Sequence, residues 1–402
     1  MLVFNNALLI DGTGAAPLPN ATVIIDGKFI KEVGQNLPVP ENAQVIDLMG
    51  KPLLPGFSDA HTHYTGTSGL ERLGADSRFV TYDYAEHREM ALRWGVTALR
   101  SAGDYTPDII TYRNDVNAGL IRSPRLLACG RFFQARGGHP LSTVFSDNPV
   151  IADNACVLVD DDTDIEAEVA KLVDLGVDWI KAVISHINKM KYPVRVPCLT
   201  DSQLSRIIGA ARYHGLPIML HIEDIDDLVR AVHAGADTIE HTIGLATSRH
   251  DMTDEVLKLL VDSGVWVVPT LVSIKLHDGA MGDAPLVWPA LQETAKRMVR
   301  AGVKLGVGCD SGIPFVHVGE SVHTEIELLT EAGYTPLQAV TAATGDNARM
   351  LRMSHVFGTV APGLAADLVV LGSDPLVDIR NTRDIKMVLR EGAVVIDNML
   401  SD

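Results

Sequence analysis

The first fifty residues alternate between short apolar runs and turn signals. Ala7-Leu8-Leu9-Ile10, Thr22-Val23-Ile24-Ile25 and Val45-Ile46-Asp47 read as strands, punctuated by Asp11-Gly12 and Asp26-Gly27. A further apolar strand then ends in Asp59-Ala60-His61-Thr62-His63, and beyond it a new unit recurs: an amphipathic helix, a glycine, then a β-rich strand. It is seen around Gly95, Gly176, Gly215, Gly235, Gly264 and Gly302, leading into strands that close on Arg100, Lys181, His221, His241, Pro269 and Asp310. The glycine marks where a helix ends in a left-handed residue before a short loop. With the first strand and Arg125-Leu126-Leu127-Ala128-Cys129, about eight strands alternate with helices. This alternation predicts a parallel sheet, and the count predicts an α/β fold of the (β/α)8 barrel type. Residues 320–331 and 336–351 are helical in period, and the β texture returns after Val356, in Ala366–Leu371, Met387–Leu389 and Ala393–Ile396. Neither end has enough strands to bury a core alone. Residues 1–53 and 356–402 are therefore expected to pair into one small β-sandwich domain, flanking a barrel of residues 54–355.

Composition narrows the partners. A formal net charge of -17 lacks the basic footprint that phosphate binding needs, which speaks against nucleic acid. Cys129, Cys156, Cys198 and Cys309 lie far apart with no CxxC pair, so a reduced, cytoplasmic chain is expected rather than a disulfide framework. No basic segment leads into an apolar run at the N-terminus, and no run reaches the ~18 apolar residues of a membrane span. The expected partners are a small-molecule substrate and further copies of the chain in a homo-oligomer.

The chemistry gathers at the strand ends, which face the active site in a barrel of this kind. On a strand, His61 and His63 point the same way, so two imidazoles can grip one ion. On a helix, positions i and i+2 diverge. The fourth strand adds Lys181, the fifth His221, the sixth His241 and the eighth Asp310. Neutral imidazole suits zinc, and a carboxylate completes a hard site. A protonated lysine cannot ligate a cation. Carbon dioxide would convert Lys181 into a carbamate whose two oxygens can bridge two divalent ions about 3.5–4 Å apart. The plainer alternative is an unmodified Lys181 paired to an acid.

The set His61-x-His63, Lys181, His221, His241 and Asp310 resembles the amidohydrolase superfamily, binuclear metal subtype. The resemblance covers essentially the whole chain and includes Asp11-Gly12, the run from Pro55 to His63, and the run from Gly358 to Leu371. Gly137-Gly138-His139 and Trp179-Ile180-Lys181 are most similar to the imidazolonepropionase-related group that includes prolidase-like dipeptidases. The resemblance implies a hydrolase cleaving an amide C–N bond, in a dipeptide or an N-acyl amino acid, by attack of a metal-bridging hydroxide. Hydrolysis of a cyclic amide or a lactone is the alternative. It implies two divalent ions, zinc expected, bridged by carboxylated Lys181: His61, His63 and Asp310 on one, His221 and His241 on the other. Asp310 then handles the proton. His139 either polarises the scissile carbonyl or is a loop residue. A metal-free scaffold barrel would lack a ligand, and none is missing here.

Two loops depart from the group. Ile184-Ser185-His186-Ile187 replaces a Ser-Gly-Gly turn after the fourth strand, and Ile222-Glu223-Asp224 replaces Ala and an aromatic after His221. Both loops shape substrate binding, so the departures bear on dipeptide specificity and not on the metal chemistry. Lys189, Lys191 and Arg195 read as a solvated basic loop, with capture of a substrate carboxylate as the sharper alternative. His186, His317 and His323 read as surface or supporting residues, and Trp94 and Trp179 as packing against the barrel.

Overall fold

The computed structural model describes residues 1–66, 79–186, 194–241, 252–278 and 288–399. Eight parallel strands form the barrel in chain order: Phe57–Thr62, Val96–Ser101, Arg125–Ala128 continued by Phe132–Ala135, Ile180–Val183, Ile218–His221, Thr238–Glu240, Trp266–Val268 and Lys304–Leu305. The third strand bends at Gly130, whose φ of +67° is open mainly to glycine. Asp178 N–H donates to Ala128 O at 2.8 Å and carries the pairing past the bend. The first and eighth strands close the ring through Ala60 N–H to Val307 O at 2.9 Å and Asp310 N–H to His61 O at 2.8 Å.

The recurring helix–glycine unit has the expected cause. Helix Ile165–Leu175 starts at Asp164, whose carboxylate accepts from Ala167 N–H, and stops at left-handed Gly176. Helix Ile225–Ala234 does the same with Asp224 and Gly235. Leu172, Leu204, Leu228, Leu260 and Met298 bury the inner faces of five helices in one apolar layer around the strands. Trp179 lies in a second cluster with Ala60, Ala98, Leu127 and Met219, from four different barrel strands.

Three elements differ from the sequence reading. Cys156–Val159 is an additional strand, parallel to Phe132–Ala135, and its short apolar run lacks the helix–glycine lead of the others. Phe29–Gln35 is a strand whose mostly polar, exposed face carries little apolar signal. Within 336–351, a π-helical turn at Ala342–Asp346 separates Pro336–Thr341 from Asn347–Met350. That turn delivers Asn347 to the seam: Oδ1 accepts from Val307 N–H at 2.9 Å, and Nδ2 donates to Val307 O at 2.8 Å and Ser58 O at 3.1 Å.

The two chain ends share one eight-stranded sheet. Strand Pro52–Pro55 runs parallel to Leu2–Leu9 on one side and antiparallel to Leu368–Leu371 on the other. The sheet curls over, so that Ile30 N–H reaches Leu364 O and Ala366 N–H reaches Lys28 O. Strand 368–371 is buried on both faces: Leu368 and Val370 join Phe4, Val23, Leu53 and Leu389, while Val369 and Leu371 join the barrel layer. We propose that residues 1–53 and 356–402 fold as one unit on this account. Leu368→Ala should lower unfolding free energy by about 2–5 kcal/mol, read by urea titration. A chain truncated before residue 356 should aggregate; a monodisperse, folded truncated chain would contradict the pairing.

Candidate active site

Asp59, two residues before His61 on the same strand, sets the seam. It is fully buried and accepts from His61 N–H at 3.1 Å, Cys309 N–H at 2.9 Å and Ser311 Oγ–H at 2.8 Å. Burial pushes its carboxyl up to about 6 against those three donors. The eighth strand is thereby held against the first, and Asp310 turns inward with φ at +59°. Its Oδ1 lies 3.4 Å from His61 Nε2 and 3.2 Å from His63 Nε2. Its Oδ2 accepts from Ser273 Oγ–H at 3.2 Å. Burial alone would raise the Asp310 carboxyl, but the hydrogen bond from His63 and the neighbouring imidazoles hold it well below its ordinary range.

The imidazoles are oriented by their other nitrogens. His61 Nδ1 is 2.6 Å from Glu240 Oε2, and His63 Nδ1 is 3.2 Å from Gly103 O. Both partners accept only, so Nδ1 carries a hydrogen and Nε2 is the ring nitrogen turned to the Asp310 side. His241, left-handed at φ +76°, sets Nδ1 2.9 Å from Thr270 Oγ1. The rings then follow one another in an arc: His63 to His61 at 5.5 Å between centroids, His61 to His241 at 4.8 Å, His241 to His221 at 4.4 Å and His221 to His139 at 4.8 Å. Three barrel strands and the loop after the third thus bring His61, His63, His221, His241 and His139 together.

Lys181, at the fourth strand, is 3% exposed, and its Nζ finds no hydrogen-bond partner among the described residues. Burial draws the amine down to about 8, against the charge of Glu240. His61 is drawn down to about 4 by burial and by the charge of Lys181. His186 lies apart: its Nε2 is 3.2 Å from Asp224 Oδ2 and its Nδ1 is 3.1 Å from Asp227 Oδ1. His317 is exposed. His323 is buried beside Trp94, with Nε2 2.9 Å from Trp94 O, and burial draws it down to about 3. Arg195 is exposed, while Lys189 and Lys191 lie outside the described residues.

The strand-end reading missed the carboxylates behind the histidines. Glu240 Oε1 accepts from Arg100 Nη2–H at 2.8 Å and Thr238 Oγ1–H at 2.5 Å. Arg100 Nε donates to Ala60 O at 2.7 Å, and its guanidinium stacks 4.5 Å over Trp179. Both side chains are fully buried. Burial would raise the Glu240 carboxyl, but the Arg100 charge and the His61 hydrogen bond hold it far below its usual range. Glu223 is the second such group, 3.3 Å from His221 Nε2 and 3.6 Å from His139 Nε2. The available signal was a charged residue inside or just after an otherwise buried strand, which must find a partner there.

Comparison with known proteins agrees with this architecture. A sequence profile of the amidohydrolase family matches residues 53–395. The chain belongs to that family and is a hydrolase of C–N bonds. An imidazolonepropionase from Streptomyces griseus is 25% identical over 421 residues, covering 96% of this chain and 94% of its own length. An uncharacterized protein of Mycobacterium tuberculosis is 28% identical over 377 residues, covering 89% and 88%. Among solved structures, a prolidase complexed with N-methylphosphonate-L-proline aligns at a TM-score of 0.81 with 25% identity, covering 98% of this chain and 99% of that one. A Xaa-Pro dipeptidase aligns at 0.83 with 23% identity, over 98% and 99%, a likeness of fold.

The residues present fit divalent ions. Bonds of about 2.0–2.2 Å in a tetrahedron separate donor atoms by about 3.3–3.6 Å. His61, His63 and Asp310 stand at 3.2–3.4 Å along their measured edges. His61 Nε2 and Lys181 Nζ are buried polar atoms without hydrogen bonds among the described residues, as donors reserved for an ion or a modification would be. The Arg100–Glu240 pair stands independently of any ion. Glu240→Ala should lower stability by about 3–5 kcal/mol, because it strands a buried guanidinium. Denaturant unfolding near wild type would contradict that assignment.

Proposed function

We propose that His61, His63, Lys181, His221, His241 and Asp310 hold two divalent ions, zinc expected, with Lys181 carboxylated between them. The observation that carries this reading is Lys181 Nζ, a buried amine without an acceptor among the described residues, beside the arc of imidazoles. Carboxylation removes the amine's charge and supplies two oxygens. Ions held there would supply hydroxide at neutral pH and a Lewis acid for a carbonyl oxygen.

The chain's own residues account for the remaining steps of an amide hydrolysis. Asp310 is fixed by Ser273 on one oxygen and faces His61 and His63 with the other. As a carboxylate it can take a proton from the attacking water and pass it to the departing nitrogen. His139 stands at the end of the arc, with Nδ1 2.7 Å from Thr143 Oγ1. Its Nε2 is the ring nitrogen that would donate to the carbonyl oxygen as negative charge develops there. Glu240 and Arg100 keep His61 in one tautomer throughout.

The substrate class we favour is a dipeptide or an N-acyl amino acid. Its support is the structural likeness, at 25% identity, to a prolidase complexed with N-methylphosphonate-L-proline. The curated relatives named imidazolonepropionase favour a second reading, the opening of a cyclic amide. A library of dipeptides, N-acyl amino acids and cyclic amides separates the two. With the best substrate, Asp310→Asn should keep its fold and most of its metal yet lose most of kcat. His139→Ala should lose about 10²–10³-fold in kcat. Near-normal turnover of Asp310→Asn would overturn the proton role, and unchanged kcat in His139→Ala would return that residue to the loop.

A further inference from the structure

The loop after the fifth barrel strand holds two adjacent carboxylates with different partners. Asp224 caps helix Ile225–Ala234, accepting from Asp227 N–H at 2.8 Å, and its Oδ2 is 3.2 Å from His186 Nε2. His186 in turn reaches Asp227 at 3.1 Å, so the loops after the fourth and fifth strands are fastened together. Glu223 instead lies against the arc, 2% exposed, its Oε1 3.3 Å from His221 Nε2 and 3.6 Å from His139 Nε2. Ile222 N–H, bonded to Glu240 O at 3.4 Å, ties the backbone before it to the sixth strand. Glu223 is therefore delivered to a fixed place by a loop anchored on both sides.

An ionised carboxylate only accepts, so the imidazole nitrogen facing it carries the hydrogen. In His221 that nitrogen is Nε2, which leaves Nδ1 with the lone pair. The relation mirrors Glu240 and His61, with the two ring nitrogens exchanged. We propose that Glu223 is the positioning residue of His221, selecting the tautomer whose Nδ1 can bind an ion. The departure from an Ala–aromatic pair at this loop then has a physical role. It places an acceptor where it can fix one metal ligand.

This inference rests on the two-ion reading above, and the test separates their failures. Affinities for zinc are measured by chelator competition on the full-length wild type and on Glu223→Ala and Glu223→Gln. Glu223→Ala should weaken the second ion about 10–100-fold, the usual effect of losing an orienting partner, with the first ion within about twofold of wild type. Glu223→Gln, whose amide oxygen accepts the same hydrogen bond, should recover most of that loss. In cobalt-substituted protein, the exchangeable ring N–H signal of His221 should vanish in the alanine variant and persist in the glutamine one. A glutamine variant as weak as the alanine one would overturn the proposal, because the carboxylate would then bind the ion directly. A two-ion wild type with an unaffected alanine variant would overturn the positioning role alone. A wild type that takes up no second ion would overturn the two-ion reading and this inference with it.

Discussion

The candidate site depends on how the barrel closes. His61 and Asp310 come from strands nearly 250 residues apart, and a slip of the seam would separate them. Asp59 prevents that slip by taking one donor from its own strand and two from the eighth. Asn347 repeats the device from behind, satisfying both backbone groups of Val307. Buried polar groups of this kind are high-stakes: satisfied, they fix one register, and unsatisfied, each would cost about 1–3 kcal/mol. The barrel needs its first and eighth strands in one alignment, and only that alignment satisfies Asp59 and Asn347 together.

Behind the arc of histidines, a layer of polar groups orients the rings. Glu240, Gly103 O, Thr270 and Glu223 each meet one nitrogen of His61, His63, His241 and His221. Arg100 neutralises Glu240 and is itself stacked on Trp179, so the buried carboxylate is not left uncompensated. The front of the site is the reverse case, with Lys181 Nζ and His61 Nε2 buried without hydrogen bonds among the described residues. Such an imbalance persists in a folded protein where a function uses it.

The barrel and the strand-end donors were legible in the sequence because both follow from local periodicity. Glycine after an amphipathic helix announces a strand, and a His, Lys or Asp closing that strand announces the mouth of the barrel. The supporting carboxylates were not legible in the same way. Glu240 meets Arg100 across 140 positions and His61 across 179, and nothing local states which strands will be neighbours. Phe29–Gln35 was silent because it buries little, and the π-helical turn because its extra residue is set by the seam that Asn347 must reach. Glu223 and Asp224 were visible as a departure, but their different partners depend on where His186 and His139 lie in three dimensions.

The proposed bridging role of Lys181 is tested most directly by the number of ions the chain holds. Metal content per chain, measured by elemental analysis of wild type and Lys181→Ala after identical loading and desalting, tests it. Two ions per wild-type chain are predicted, with the variant losing the ion at His221 and His241, which has the fewer protein donors. A protein-bound carbamate carbon should also appear by NMR after labelling wild type with ¹³C-bicarbonate, and be absent from the variant. A folded Lys181→Ala chain that keeps two tightly held ions, or a wild type with no carbamate signal, would contradict the account.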